Sequence, residues 1–194
     1  MKMFDAIQLR TLTADDRDRV HAWRNSDRVR NGMYTDHEIG DDEHNKWFEG
    51  ALVARNARYL IAELDATPVG FVSFTAITPP PPADGSTCDW AFYIGESSTP
   101  RGVGSCMEVR ALDHAFGELG IRKLSCEVLD SNIAVVRMHE KFGFTKEGLF
   151  RKHTVKNGTA EDVHRLALFA EEWRQNREAL LAERIDKIEW DGSL

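Results

Sequence analysis

A chain of 194 residues with 42% hydrophobic content is sized for one domain around one core. Its net charge of −7 argues against a general nucleic-acid binder, because neutralising phosphates needs a basic surface. Local arginines and backbone amides can still hold a small anionic ligand.

Cys88, Cys106 and Cys126 form no Cys-x-x-Cys pair, which points to reduced thiols in a cytoplasmic protein rather than a disulfide framework or a zinc site. Cys106 reads as a small buried apolar residue, since no partner histidine can be assigned to it. The N-terminus has no apolar signal region and no run approaches a membrane span, so no membrane association is expected.

Ile7–Thr11 alternates like a first strand. Thr13-Ala14-Asp15-Asp16 then reads as a capping box opening a helix to about Asn25, with Val20 and Trp23 turned inward. A short helical stretch is expected around Val29–Met33. Another begins near Asp41-Asp42-Glu43, acids suited to a helix start, and carries His44, Trp47, Phe48 and Leu52. Strands follow at Tyr59–Leu64 and Val69–Ile77. Thr78–Gly85, with four prolines in a row, reads as a stiff exposed connection.

The next strand runs from Cys88 to Gly95. Pro100–Val109 then opens a helix to about Glu118, with Ala111, Leu112, Ala115, Phe116 and Leu119 on one face. A strand at Lys123–Val128 precedes the helical run Asn132–Phe144. Thr145–Val155 and Asp162–Phe169 flank Asn157-Gly158, a hairpin turn. From Glu171 to Trp190 a charged stretch carries Trp173, Leu180, Leu181, Ile185 and Ile188 as an apolar seam. It is expected as a helix docking on the domain or on a second subunit, which would make a homodimer. The division is residues 1–173 as the domain and 174–194 as its C-terminal helical extension.

The most informative segment is Pro100-Arg101-Gly102-Val103-Gly104-Ser105. Glycines between a strand and a helix let backbone approach a ligand, and free N–H groups at a helix start bind phosphate oxygens. A second element follows at a fitting distance: in Asn132–Phe144, the residues Asn132, Val136, His139 and Gly143 share one helical face. Strand, glycine loop, helix, strand, then Asn and a helix ending in Gly-Phe resembles the acetyl-CoA core of the GNAT superfamily of N-acetyltransferases.

That resemblance implies an α/β fold with a mixed, largely antiparallel sheet, splayed between strands 4 and 5 and covered by helices on both faces. It implies acetyl-CoA as co-substrate and no metal. The pantetheine arm would add to the edge of Trp90–Ile94 as a pseudo-strand, at Phe92, Tyr93 and Ile94, with a backbone N–H near Tyr93 or Ile94 as oxyanion donor. The pyrophosphate would sit on the N–H groups of Arg101, Gly102, Val103, Gly104 and Ser105. The family pattern has Gln or Arg three positions before Gly102, where this chain has Thr99. Arg101 either compensates that charge or faces solvent.

Asn132 matches the family's pantetheine-contacting Asn. His139 stands where many members have a Tyr that protonates the thiolate. Imidazole, with a pKa of about 6.5, can do that work; the other reading of His139 is a hydrogen-bonded structural histidine. Glu127 either orients the amine and relays its proton or is a solvent-facing strand-end charge.

The acceptor would lie against the first half of the chain. There Trp23, Trp47 and Phe48 read as core, and Arg24, Asn25, Tyr34 and His37, together with Trp90, as ligand candidates. The Trp-Arg-Asn and Thr-Asp-His-x-Ile segments resemble the nucleotide-sugar N-acetyltransferases of pseudaminic acid biosynthesis, over about residues 7–173. This implies acetylation of the 4-amino group of a UDP-linked amino-deoxy sugar, a step toward flagellin glycosylation. Alternatives are a polyamine (spermidine) N-acetyltransferase, a protein N-terminal acetyltransferase and a non-catalytic acyl-CoA-binding module. His37 and His44, beside Asp36 and Glu43, read as a polar helix junction rather than a zinc site.

Overall fold

The computed structural model of the chain describes residues 1–79 and 85–193. Most of the proline-rich connection therefore lies outside the described residues. Among the described residues seven strands follow the chain: β1 (Ile7–Thr11), β2 (Arg58–Leu64), β3 (Thr67–Thr78), β4 (Ser86–Ile94), β5 (Ile121–Leu129), β6 (Thr145–Lys156) and β7 (Thr159–Phe169). They form one sheet in the order β1-β2-β3-β4-β5-β7-β6. β4 and β5 pair in parallel, and the other neighbouring strands pair antiparallel.

Strand alternation sends successive side chains to opposite faces, and two cores result. In β2, Leu60, Ala62 and Leu64 join the larger core, while Ile61 between them joins the smaller one with Val20, Trp23, Phe48 and Phe71. The smaller core is covered by α2 (Arg17–Asn25) and α4 (Asp41–Leu52). The larger is covered by α1 (Met3–Ala6), α5 (Val103–Asp113), α6 (Ile133–Lys141) and α7 (Ala170–Leu180). The short α3 (Asp27–Arg30) follows α2 directly. The expected capping box forms at Thr13 and Asp16, where Asp16 also accepts two hydrogen bonds from Arg10 at 2.7 Å.

β4 and β5 part company midway. Their last paired residues are Asp89 and Ser125, so the β5-facing edge of Trp90–Ile94 has no strand beside it. The rings of Trp90, Phe144 and His139 pack together at the fork. Where β4 ends, Gly95 lies under Trp23: an added Cβ would be 2.0 Å from Trp23 Cδ2. Trp23 is buried and its Nε1–H donates to Glu96 at 2.9 Å, so the ring has little freedom to move. Gly95→Ala is therefore expected to cost about 1–3 kcal/mol through overpacking. An unchanged urea midpoint would contradict this packing.

α7 docks on the domain. Trp173 Nε1–H and Arg177 both donate to Asp113 on α5, at 3.1 and 2.6 Å. A boundary at residue 173 thus falls inside a helix that begins at Ala170. Helical turns continue to Ile185, and the chain then crosses α1, where the Met3 N–H donates to the Ile188 carbonyl at 3.0 Å. Ile188 abuts the glycine loop: a Cβ on Gly102 would stand 2.6 Å from its Cγ2.

Candidate active site

The fork between β4 and β5 opens into a cleft of about 550 Å³. Trp90, Phe92, Tyr93 and Ile94 line one wall, and Cys126, Glu127 and Val128 the other. Gly104 and Asn132 close its ends, with Val135, Met138 and His139 of α6 along the floor. Of the residues expected at the cofactor, Phe92, Tyr93, Ile94, Gly104, Asn132 and His139 come together here.

Gly102 caps α5 at φ +106°, a left-handed conformation that glycine adopts without strain. Helix geometry leaves the N–H groups at the start of α5 without intrahelical acceptors. Val103 contributes only backbone, since its side chain is fully buried in the core. Arg101 is exposed and borders a separate hollow with Met1, Trp190 and Asp191. It does not line the cleft.

His139 is 4% exposed, and its Nδ1 lies 2.7 Å from Oε1 of Glu108, a carboxyl on α5 with no exposure. Burial alone would lower the imidazole pKa, but the Glu108 carboxylate and the Cys126 thiol raise it well above the ordinary range. Burial pushes the Glu108 carboxyl up, opposed by His139. Cys88 and Cys106 are buried thiols pushed up to about 12 by desolvation, which leaves them inert at neutral pH.

Across the cleft mouth, Glu127 accepts from Tyr34 Oη at 2.6 Å and from Arg165 at 3.0 Å. Arg165 also pairs with Asp89 at 2.7 Å. The register that sets Glu127 opposite Arg165 comes from the β5–β7 pairing. Glu127 is therefore part of a network in which one guanidinium serves two carboxylates, rather than a lone strand-end carboxylate. Burial and Glu127 raise the Tyr34 hydroxyl pKa.

On the other side of β4 lies a second cavity of about 330 Å³, which shares Met33, Ala91 and Tyr93 with the cleft. Arg24, Thr35, Glu43, His44, Trp47 and Phe71 also line it. Nη1 of Arg24 is buried with no hydrogen-bond partner among the described residues. Burial lowers the guanidinium pKa, with Tyr93 and Glu43 acting against it.

The remaining acceptor candidates divide. Asn25 is not free for a ligand: its Nδ2 donates to the Ile39 carbonyl at 2.9 Å, and its Oδ1 accepts from the Ile39 N–H at 2.8 Å. It clips the loop before α4 to α2. His37 is exposed, lies 3.1 Å from Glu43 and lines neither cavity. Trp47, expected in the core, is 39% exposed because it forms a wall of the second cavity. His44 stacks on His21 at 4.4 Å, and burial, its first cause, lowers its pKa.

Comparison with known proteins decides the family. The profile of the acetyltransferase (GNAT) domain matches residues 7–145. The chain belongs to the GNAT acetyltransferase family.

The SPbeta prophage-derived uncharacterized N-acetyltransferase YokL of Bacillus subtilis (strain 168) is 28% identical over 133 residues, 68% of this chain and 72% of that protein. The putative phosphinothricin acetyltransferase YwnH of the same organism is 29% identical over 125 residues, 64% and 75% of the two chains. The match to its probable N-acetyltransferase YjcK, 31% identical over 77 residues, spans 40% of this chain but only 42% of that relative. Among solved structures, the spermidine N-acetyltransferase of Vibrio cholerae in complex with CoA and spermine superposes with a TM-score of 0.79 at 20% identity, over 88% of this chain and 99% of the other. That likeness is one of fold. Motif reasoning passed over Asp89 and Arg165, which line the cleft, and Glu108, which contacts His139 behind it.

Proposed function

We propose that the chain transfers the acetyl group of acetyl-CoA to an amine carried on an anionic molecule, a UDP-linked 4-amino-deoxy sugar being the acceptor we favour. The acyltransferase class is that of its family. The open edge of Trp90–Ile94 suits the amides of pantetheine, and the α5 start suits a pyrophosphate that the chain's net charge would otherwise repel. Among the chain's own groups, Asn132 would hold the arm and His139 would face the departing sulfur.

The observation that carries the acceptor reading is the unpaired Nη1 of Arg24, buried in an aromatic cavity that meets the cleft at Ala91 and Tyr93. A buried guanidinium N–H without a partner is costly unless an acceptor meets it. Aromatic walls at Trp47 and Phe71 suit a base or sugar. Arg24→Gln is expected to raise KM for an anionic acceptor by about 10–100-fold, the equivalent of a lost charged hydrogen bond. KM for acetyl-CoA should stay unchanged, and an unchanged acceptor KM would remove Arg24 from the site.

Spermidine is the second reading, favoured by the net charge of −7. Against it, Arg165 pairs with both Asp89 and Glu127 at the cleft, which leaves a polycation one net negative charge there rather than two. A sugar amine flanked by oxygens is also less basic than a lysine-like amine of pKa about 10.4, and needs less help from a base. Competing both acceptors for limiting acetyl-CoA, with mass spectrometry of the products, tests the choice. Acetylated spermidine as sole product would overturn it. Thiol release with a panel that includes peptides separates both from N-terminal acetylation and from a non-catalytic module.

A further inference from the structure

We infer that Glu108 is a positioning residue for acetyl transfer: its carboxyl holds one ring nitrogen of His139 so that the other carries a proton when the thiolate departs. The inference rests on the acetyl-transfer reading above. Glu108 lies on α5, whose first turn faces the cleft, and it shares a helical face with Ala111 and Leu112 in the core. A carboxyl in such a place costs several kcal/mol unless it is paired, and an apolar residue would fill the space without that cost. Its Oε2 has no hydrogen-bond partner among the described residues, so the contact of Oε1 with His139 Nδ1 at 2.7 Å is what holds the carboxyl. The titratable groups facing the ring are Glu108 from α5 and the Cys126 thiol from β5. Trp90, Phe92 and Phe144 complete its surroundings with apolar rings.

Two arrangements of the shared proton are available, and both protonate the same outer nitrogen. With the proton on Nδ1 the ring is a cation bearing Nδ1–H and Nε2–H. With the proton on Glu108, the neutral carboxyl donates to Nδ1, and the neutral ring carries its hydrogen on Nε2. Passing that hydrogen to a thiolate breaks the Nε2–H bond and forms an S–H bond. Either starting state then leaves one product, a neutral ring whose Nδ1–H donates to the Glu108 carboxylate. Water restores the proton before the next turnover. His139 lines the cleft beside the fork, where the thioester sulfur would lie on this reading. A free imidazole would mix both tautomers and lose its charge above about pH 6.5; the carboxyl removes both losses.

The first test needs no acceptor. Nitrogen-15 NMR of the imidazoles in the wild-type protein, from pH 5 to 9, reads the ring state directly. His139 is expected to keep a proton on Nε2 throughout and to show no midpoint near 6.5. A bare Nε2 at neutral pH, or an ordinary midpoint, would overturn the inference.

The second test is Glu108→Gln, which keeps shape and removes charge. The variant's His139 midpoint should fall by about one pH unit or more. Because the acid must be protonated to act, the alkaline limb of kcat should move to lower pH by the same amount, with acetyl-CoA affinity unchanged. Glu108→Asp should restore part of the shift. An unmoved limb in folded Glu108→Gln would count against the role, and if that variant does not fold the wild-type ring spectra still decide. No turnover with any amine would strike the acetyl-transfer reading alone.

Discussion

Gly104→Asp is expected to weaken acetyl-CoA binding by well over tenfold, which is about 1.4 kcal/mol or more. Gly104 lies in the first turn of α5 and lines the cleft. Its backbone is not in the left-handed region, and an added Cβ would stand 3.4 Å from Ile94 Cδ1. The fold therefore accepts a side chain there. An aspartate near a helix N-terminus is itself favourable, because its carboxylate meets the free N–H groups and the positive end of the dipole. This is why binding should fail while stability holds: the side chain takes the place intended for a phosphate and repels the next one. Gly104→Ala, which adds no charge, should bind close to normally. Calorimetry with CoA, alongside a melting curve, reads both quantities. Unchanged affinity in the aspartate variant would move the pyrophosphate elsewhere.

Removing the imidazole is the second large effect. His139→Phe should lower kcat by about 10²-fold if the ring donates the proton. The structure adds a complication that the sequence does not show. Phenylalanine would leave Glu108 buried without its partner, and breaking a buried pair by removing one member costs about 3–5 kcal/mol. His139→Gln keeps a donor within reach of Glu108 and is the better test of chemistry. Its kcat should fall by a similar factor at nearly normal stability. A loss of only a few-fold in a folded variant would assign His139 a structural role.

Much of the fold was legible because its periodicities are clear. The alternation in Ile7–Thr11, the acids opening α4 and the Asn157-Gly158 turn each lie where pattern reasoning sets them. The parting of β4 from β5 followed from the resemblance rather than from the pattern. What escaped is what needs sheet order. Arg165 meets Glu127 and Asp89 because β7 lies against β5, and nothing local marks that neighbour. Asn25 looked like a ligand group, but its amide was already committed to a backbone 14 residues away. Trp47 looked like core because helices usually bury such rings.

Glu108 is the instructive omission. It stands three and four residues before Ala111 and Leu112, on the face assigned to the core. A carboxylate on that face is a signal in itself, and asking what would pay for its burial leads to a partner such as His139.

The position of β7 also bears on how the molecule is made. Residues 163–169 pair with 123–129, so the strand that completes β5 is synthesised after both β5 and β6. Until then β5 presents an open edge, the kind of surface that recruits other chains. β6 emerges first, and among the described residues its one neighbour in the sheet is β7. Sequence-distant pairing of this kind slows folding, because loop closure must precede the contacts that reward it. Ribosome-bound chains that end at residue 145, where the family profile stops, would thus carry the glycine loop and the strand residues of both cleft walls while β5 still lacks β7 beside it. The half of the sheet bearing β5 gains its antiparallel neighbour only once residues through Phe169 are available.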